Sequence, residues 1–149
     1  MNIFDSAVAE ISVSYSNRIP EKDRIKIGCS QDVFDTCKLF WPSTDHVEYF
    51  YILLLNRHNQ VLGVHQVSKG GFTGTVVDVR VIFQVALKTC SCSVIALHNH
   101  PSGNLNPSDE DKRVTQKIKD AGKIIDVQLL DHMIITSDKY YSMADEGEI

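Results

Sequence analysis

The chain has 149 residues, of which 43% are hydrophobic and 23% are charged. These are the proportions of an ordinary globular protein, and the length suits one domain with its own core. The net charge of −4 gives no general attraction to nucleic acid, so we predict no direct binding to it. No apolar run approaches a membrane span and no signal-peptide pattern begins the chain, so we expect a cytoplasmic protein.

The first part of the chain predicts an extension followed by a helix. Residues 9–16 alternate between apolar and polar side chains, which is typical of a half-buried strand. Residues 17–26 are polar and predict a loop, so we expect residues 1–28 to form a strand-and-loop extension packed on a domain of residues 29–149. Ser30 resembles an N-cap, and Trp41-Pro42 would end the helix that follows it.

The middle of the chain predicts two strands, a glycine-rich connection and a helix. The apolar runs 49–55 and 61–67 are separated by a polar turn, which indicates neighbouring strands. Residues 69–74 are rich in glycine but lack the Gly-Lys-Ser/Thr ending of a phosphate loop, so we predict a conformationally demanding connection. Asp78 is the predicted N-cap of a helix over about 79–87.

The last part of the chain completes a mixed sheet. A third central strand is predicted over 93–98, and a helix begins at Ser108 and runs to about Ala121, with Gly122 as its stop. Two or three short strands follow, over 124–130, 133–136 and 140–142. Because helices and strands interleave without strict alternation, the prediction is an α/β fold with a mixed central sheet flanked by helices.

His98 and His100 are the candidate metal ligands. They are two positions apart at the end of a predicted strand, so their side chains share one face. The loop after them would return the chain so that Asp111, in the first turn of the next helix, faces the pair. Two imidazoles and a carboxylate with one open position describe a catalytic zinc site. The alternatives are exposed strand-end histidines and a carboxylate that only favours the helix dipole.

The same residues carry a resemblance to a known family. His98-x-His100, seven residues, Ser108, two residues and Asp111 have the spacing of the JAMM motif of MPN/JAB-domain metallopeptidases. The string HNHPSGNLNPSDED resembles the RadC branch of that family, and the likeness extends over about residues 30–143. It implies a single MPN/JAB domain, similar to the cytidine-deaminase fold, with one zinc ion per chain held by His98, His100 and Asp111.

The resemblance also implies two catalytic groups. Glu48, at the start of a strand, corresponds to the family's general base, which takes a proton from the attacking water and gives it to the leaving amine. Ser108 corresponds to the serine whose hydroxyl supports the tetrahedral intermediate opposite the metal. A plain N-cap role for Ser108 is an equally open interpretation.

The expected activity is therefore zinc-dependent hydrolysis of a peptide or isopeptide bond in a peptide or protein substrate. The alternative is a non-catalytic JAB module in DNA repair or mobile-element DNA transactions, because RadC-like proteins are labelled DNA-repair proteins. Because the net charge of the chain is negative, a partner would then have to bring it to DNA. A nucleobase deaminase is excluded, because the Pro-Cys-x-x-Cys signature that supplies two of its zinc ligands is missing.

Several remaining polar residues have no firm role in the sequence. RadC-like sequences carry an Asp-His pair where this chain has Asp131 and His132, which we interpret as supporting or structural. Arg80 stands where such chains often have Arg-Glu, but Val81 replaces the glutamate. Reduced, partly buried thiols are predicted for all four cysteines, and the last two lack the partners of a metal site: Cys29, Cys37, Cys90 and Cys92.

Overall fold

The computed structural model describes residues 7–70 and 76–149. Its helices are α1 (Ser30–Cys37), α2 (Val79–Lys88) and α3 (Asp109–Ile125), with a short 3-10 helix at Glu21–Asp23. Its strands are β1 (Tyr49–Leu55), β2 (Val61–Lys69), β3 (Ser93–Asn99), β4 (Gln128–Ile135) and β5 (Tyr140–Ser142). None of the helices in the described ranges is long and apolar enough to cross a membrane.

The five strands form one mixed sheet in the order β2-β1-β3-β4-β5. β3 and β4 run parallel, and the other neighbouring strands are antiparallel. Parallel neighbours need a long crossover, and α3 supplies it between β3 and β4. The predicted single α/β domain with a mixed sheet is confirmed.

Two apolar cores lie on the two faces of the sheet, because successive side chains of a strand point to opposite faces. In the central strand β3, Val94 and Ala96 pack in the core that includes residues of α2 and α3. Ile95 and Leu97 pack in the core that includes residues of α1. Every residue of β3 is buried, so the polar side chains at its end start from a rigid, enclosed element.

The boundaries of two helices show how caps and close contacts set helix length. The Asp78 carboxylate accepts a hydrogen bond from the backbone N–H of Arg80, so the predicted N-cap of α2 is confirmed. Gly122 does not end α3, which continues to Ile125 and closes with Asp126 in the left-handed conformation at φ 57°. Position 122 requires glycine for a different reason, because a Cβ on residue 122 would lie 2.2 Å from the carbonyl oxygen of Val127.

The strands after α3 also differ from the prediction. Residues 124 and 125 belong to α3, and β4 runs without a break through Asp131 and His132. A break between strands was predicted at these two residues. Both side chains are instead buried and hydrogen-bonded, which allows a strand to continue through them.

The predicted strand over residues 9–16 is wrong within the described part of the chain. These residues have no strand pairing there, and the side chains of Ile11 and Val13 are 84% and 71% exposed. Apolar alternation produces a half-buried strand only when a sheet edge accepts it. The side-chain amide of Asn17 donates a hydrogen bond to the Leu62 carbonyl at 2.8 Å, which ties this segment to β2. Most of the glycine-rich connection lies outside the described residues.

Candidate metal centre

The centre is built at the carboxyl end of β3. His98 is buried and stacks on Phe50, with ring centroids 5.9 Å apart. His100 follows directly after the strand, and the Nε2 atoms of the two histidines lie 2.9 Å apart. The predicted histidine pair is therefore brought together, with both Nε2 atoms directed at one point.

A tight loop fixes the ring of His100. Gly103 adopts φ 80°, a conformation that glycine tolerates best, and its N–H donates to the His100 carbonyl at 2.8 Å. The carbonyl of Asn104 then accepts a hydrogen bond from Nδ1–H of His100 at 2.7 Å. Because a carbonyl can only accept, the proton is on Nδ1, and the Nε2 lone pair is free for a metal ion.

Asp111 completes a compact group with the two imidazoles. Its carboxylate oxygens lie 3.2 Å from His98 Nε2 and 3.1 Å from His100 Nε2. Ser108 holds the carboxylate through its backbone N–H at 2.8 Å, and its hydroxyl accepts from the backbone N–H of Asp111 at 3.0 Å. This capping box shows that Ser108 is the N-cap of α3. Accepting a hydrogen bond uses a lone pair, so the hydroxyl proton remains available for donation.

Glu48 approaches the same point from the start of β1. Its Oε1 lies 3.9 Å from His100 Nε2, and the ligand atoms of Glu48, His98 and His100 all lie within 4.8 Å of one another. The structure therefore brings both carboxylates to the histidine pair, and either one could complete a ligand set with it.

The charges at the centre are those of a site that holds a cation. Burial raises the pKa of Asp111, but hydrogen bonds with His100 and His98 outweigh it and hold the pKa well below its ordinary value. The hydrogen bond with Asp111 raises the pKa of His100 against the effect of burial.

The residues present fit a zinc ion. Zinc bonds of 2.0–2.1 Å in a tetrahedron place two ligand atoms about 3.3 Å apart. The two Nε2 atoms lie 2.9 Å apart, and one Asp111 oxygen lies 3.2 Å from His98 Nε2 while the other lies 3.1 Å from His100 Nε2, so each neighbouring pair of donors is close to this spacing. A set with two imidazoles suits zinc better than magnesium or calcium, which prefer oxygen ligands.

Asn99 is a site residue that the sequence reasoning missed. Its side chain is buried, where its Oδ1 accepts from the N–H of Tyr49 at 2.8 Å. Its amide donates to the carbonyls of Thr44 and Val47 at 3.0 and 2.9 Å. Asn99 thus ties the segment that carries Glu48 to the end of β3. The only signal in the sequence was its position between the two histidines, on the opposite face.

Asp131 and His132 are neighbours in β4, but their side chains have different roles. Nε2 of His132 lies 2.7 Å from Nδ1 of His98, so His132 is in direct contact with the centre. Complete burial, together with the neighbouring His98, lowers the pKa of His132 well below its ordinary value. Asp131 instead accepts from the Ser142 hydroxyl and the Ala144 N–H, which joins β4 to β5 and the turn after it.

A cleft of about 980 Å³ opens onto the centre. Its lining includes Glu48, His100, Ser108 and Asp111, together with residues 68–70 at the end of β2. His98 lies beneath it, buried between the strands.

Other residues singled out in the sequence lie away from this cleft. The side chain of Arg80 is 92% exposed, forms an ion pair with Asp78 at 3.0 Å and is not part of the cleft lining. All four cysteines are unpaired. Only Cys37 is buried, so the prediction of partly buried thiols fails for the other three, which are exposed: Cys29, Cys90 and Cys92.

Comparison with known proteins supports the same family. Residues 27–148 match the model of the RadC-like JAB domain. A UPF0758 protein of Flavobacterium johnsoniae is 46% identical over 143 residues, which cover 95% of this chain and 62% of the relative. UPF0758 proteins of Listeria monocytogenes (lmo1549) and Desulforamulus reducens are 36% and 39% identical, covering 87% and 88% of this chain and 57% of each relative.

The chain therefore spans about three fifths of the length of these curated relatives. The matched region includes every residue of the candidate centre, from Glu48 to His132. Taken with the mixed sheet and the histidine pair at the end of β3, the match leads to one conclusion: this chain belongs to the family of RadC-like JAB domains.

Proposed function

We propose that this chain is a zinc-dependent hydrolase that cleaves a peptide or isopeptide bond. The observation that carries the proposal is the convergence of His98, His100 and Asp111. The two Nε2 atoms lie 2.9 Å apart, and each lies 3.1–3.2 Å from a different oxygen of the Asp111 carboxylate. A second carboxylate, Glu48, stands at the same open cleft without being part of that tight group. One anionic ligand and one separate base are what metal-assisted hydrolysis needs.

His98, His100 and Asp111 would hold the metal, with Nε2 as the ligand atom of each histidine. Asp111 is preferred to Glu48 as the ligand because its oxygens contact both Nε2 atoms, whereas Glu48 is 3.9 Å from the nearer one. When bound, zinc would lower the pKa of a coordinated water towards about 7 and polarise the substrate carbonyl.

Glu48 is the proposed general base. It takes a proton from the attacking water and returns it to the leaving amine, so the carboxylate ends the cycle as it began. The Asn99 side chain accepts from the Tyr49 N–H and donates to the Val47 carbonyl, and these two hydrogen bonds on either side of Glu48 hold its carboxylate at the cleft. Ser108 retains a hydroxyl proton, which it would donate to the oxyanion of the tetrahedral intermediate.

The cleft supports a peptide or protein as the substrate. It is open along one side and reaches the end of β2, an edge strand of the described sheet. An extended peptide can be held by backbone hydrogen bonds along such an edge. The substrate, and any role of the longer proteins that contain this domain, are part of the proposal.

The test is hydrolysis of fluorogenic peptides and of lysine isopeptide conjugates by the zinc-loaded chain. Cleavage by the wild type should stop on treatment with a chelator and resume when zinc is added. Glu48→Gln should lower kcat at least about 100-fold because the base is lost. The matched control is Glu21→Gln, an exposed change far from the cleft, which should leave kcat unchanged. A Glu48→Gln variant as active as the wild type would refute the proposed mechanism.

A further inference from the structure

A line of buried hydrogen bonds runs away from the metal centre behind His98. His98 Nδ1 lies 2.7 Å from Nε2 of His132, and Nδ1 of His132 lies 2.5 Å from the hydroxyl oxygen of Thr115. The Thr115 hydroxyl in turn lies 2.6 Å from the backbone carbonyl of Asp111. The three side chains of this line are all buried, so water does not compete for these contacts.

The carbonyl at the end of this line fixes the direction of every hydrogen bond in it. A carbonyl can only accept, and a hydroxyl has one proton, so Thr115 donates to Asp111. Thr115 must then accept from His132, which places the proton of His132 on Nδ1. In the reverse order, the oxygens of Thr115 and Asp111 would face each other at 2.6 Å with no proton between them. The other neighbour, Met143 Sδ at 3.6 Å, is a weak acceptor and does not compete.

The same reasoning extends to the metal ligand. With its proton on Nδ1, the ring of His132 offers a lone pair at Nε2, and this lone pair accepts from Nδ1–H of His98. The Nε2 of His98 is then unprotonated and directed at His100 and Asp111. His100 is also protonated at Nδ1 and unprotonated at Nε2, because its Nδ1–H donates directly to the carbonyl of Asn104.

We infer that Thr115 and His132 are positioning residues that set the tautomer and orientation of His98 for metal binding. The inference rests on the proposed zinc site and adds two residues that the ligand spacing in the sequence does not reveal. Asp111 acts twice: its carboxylate faces the metal and its backbone carbonyl fixes the polarity of the line. Partners of this kind typically change metal affinity 10–100-fold when they are removed.

The test compares Thr115→Val with Thr115→Ser in the full chain. Valine keeps the shape of threonine but has no hydroxyl, whereas serine keeps the hydroxyl and loses a methyl group. Zinc affinity is measured by competition with a chromophoric chelator, and urea unfolding of the zinc-free proteins reports their stability. Thr115→Val should bind zinc about 10–100-fold more weakly, and Thr115→Ser should stay within about threefold of the wild type. If both variants lose zinc affinity equally, the packing of the Thr115 side chain and not its hydroxyl is responsible, and the inference is overturned.

A second measurement does not depend on any variant. Long-range ¹H–¹⁵N correlation spectra of the zinc-loaded wild type report which imidazole nitrogen carries a proton. His132 and His98 should both be protonated at Nδ1, and an Nε2–H form of His132 would overturn the inference. A wild type that binds no zinc refutes the proposed function as well. A wild type that binds zinc tightly while Thr115→Val binds it equally well refutes this inference alone.

Discussion

Two substitutions, Asp111→Asn and Glu48→Gln, test which carboxylate is the metal ligand and which is the general base. Each replaces a charged oxygen by an amide of nearly the same shape. The Asp111 carboxylate oxygens lie 3.2 Å from His98 Nε2 and 3.1 Å from His100 Nε2, so its loss removes the proposed anionic ligand. We expect zinc affinity to fall more than about 100-fold, which is about 2.7 kcal/mol. Glu48→Gln should keep zinc affinity within about threefold and lose hydrolysis.

The assay is zinc competition with a chelator of known affinity on both purified variants. Asp109→Asn is the matched control, because it removes a carboxylate from the first turn of the same helix but is exposed and makes no contact with the histidine pair. It should leave zinc affinity unchanged. The opposite pattern, with zinc lost in Glu48→Gln and kept in Asp111→Asn, would refute the reasoning. The ligand set would then be Glu48, His98 and His100.

Three further predictions concern stability, measured by urea unfolding. Gly122→Ala should lower the free energy of unfolding by about 1–3 kcal/mol, because its Cβ would lie 2.2 Å from the Val127 carbonyl oxygen. Asn99→Ala should lower the free energy of unfolding by about 2–4 kcal/mol and slow hydrolysis, because it leaves three partly buried backbone groups without their side-chain partner. In zinc-free protein, His100→Gln should lower the free energy of unfolding more at pH 5.5 than at pH 9. Asp111 raises the pKa of His100, so the pair stabilises fully below about pH 6.5, and this stabilisation is lost as the pH rises through the raised pKa.

Each of these predictions has an outcome that contradicts it. Gly63→Ala is the control for the first, because a Cβ there meets nothing within 4 Å, and it should not lower stability. A Gly122→Ala protein as stable as the wild type would show that the helix end can relax. A loss below about 0.5 kcal/mol in Asn99→Ala, the size of an ordinary surface change, would mean that water replaces its contacts. If His100→Gln lowers the free energy of unfolding equally at both pH values, the His100–Asp111 ion pair does not stabilise the zinc-free protein.

The grouping of the three proposed ligands could be predicted from the sequence because their spacing follows local geometry. His98 and His100 share a face at the end of a strand, and the first turn of the next helix carries Asp111. The N-caps Asp78 and Ser108 were predictable for a similar reason, since a cap acts on backbone groups two or three residues away.

The features that escaped prediction depend on contacts between distant segments. The role of Asn99 depends on carbonyls more than 50 residues earlier in the chain. A supporting role was predicted for His132, but not its partner, which is a histidine 34 residues earlier. Gly122 was taken for a helix stop, but it is there to allow the close approach of Val127. The alternation of residues 9–16 predicted a strand because a sequence pattern cannot show whether a sheet edge is present to accept it.

The central claim is that this centre binds zinc for hydrolysis. The most direct test is elemental analysis of the chain purified without an affinity metal, with His100→Ala as the comparison. The account predicts about one zinc per wild-type chain and none in the variant, because His100 supplies one of the three ligand atoms. A wild type that contains no metal and takes up no added zinc would contradict it.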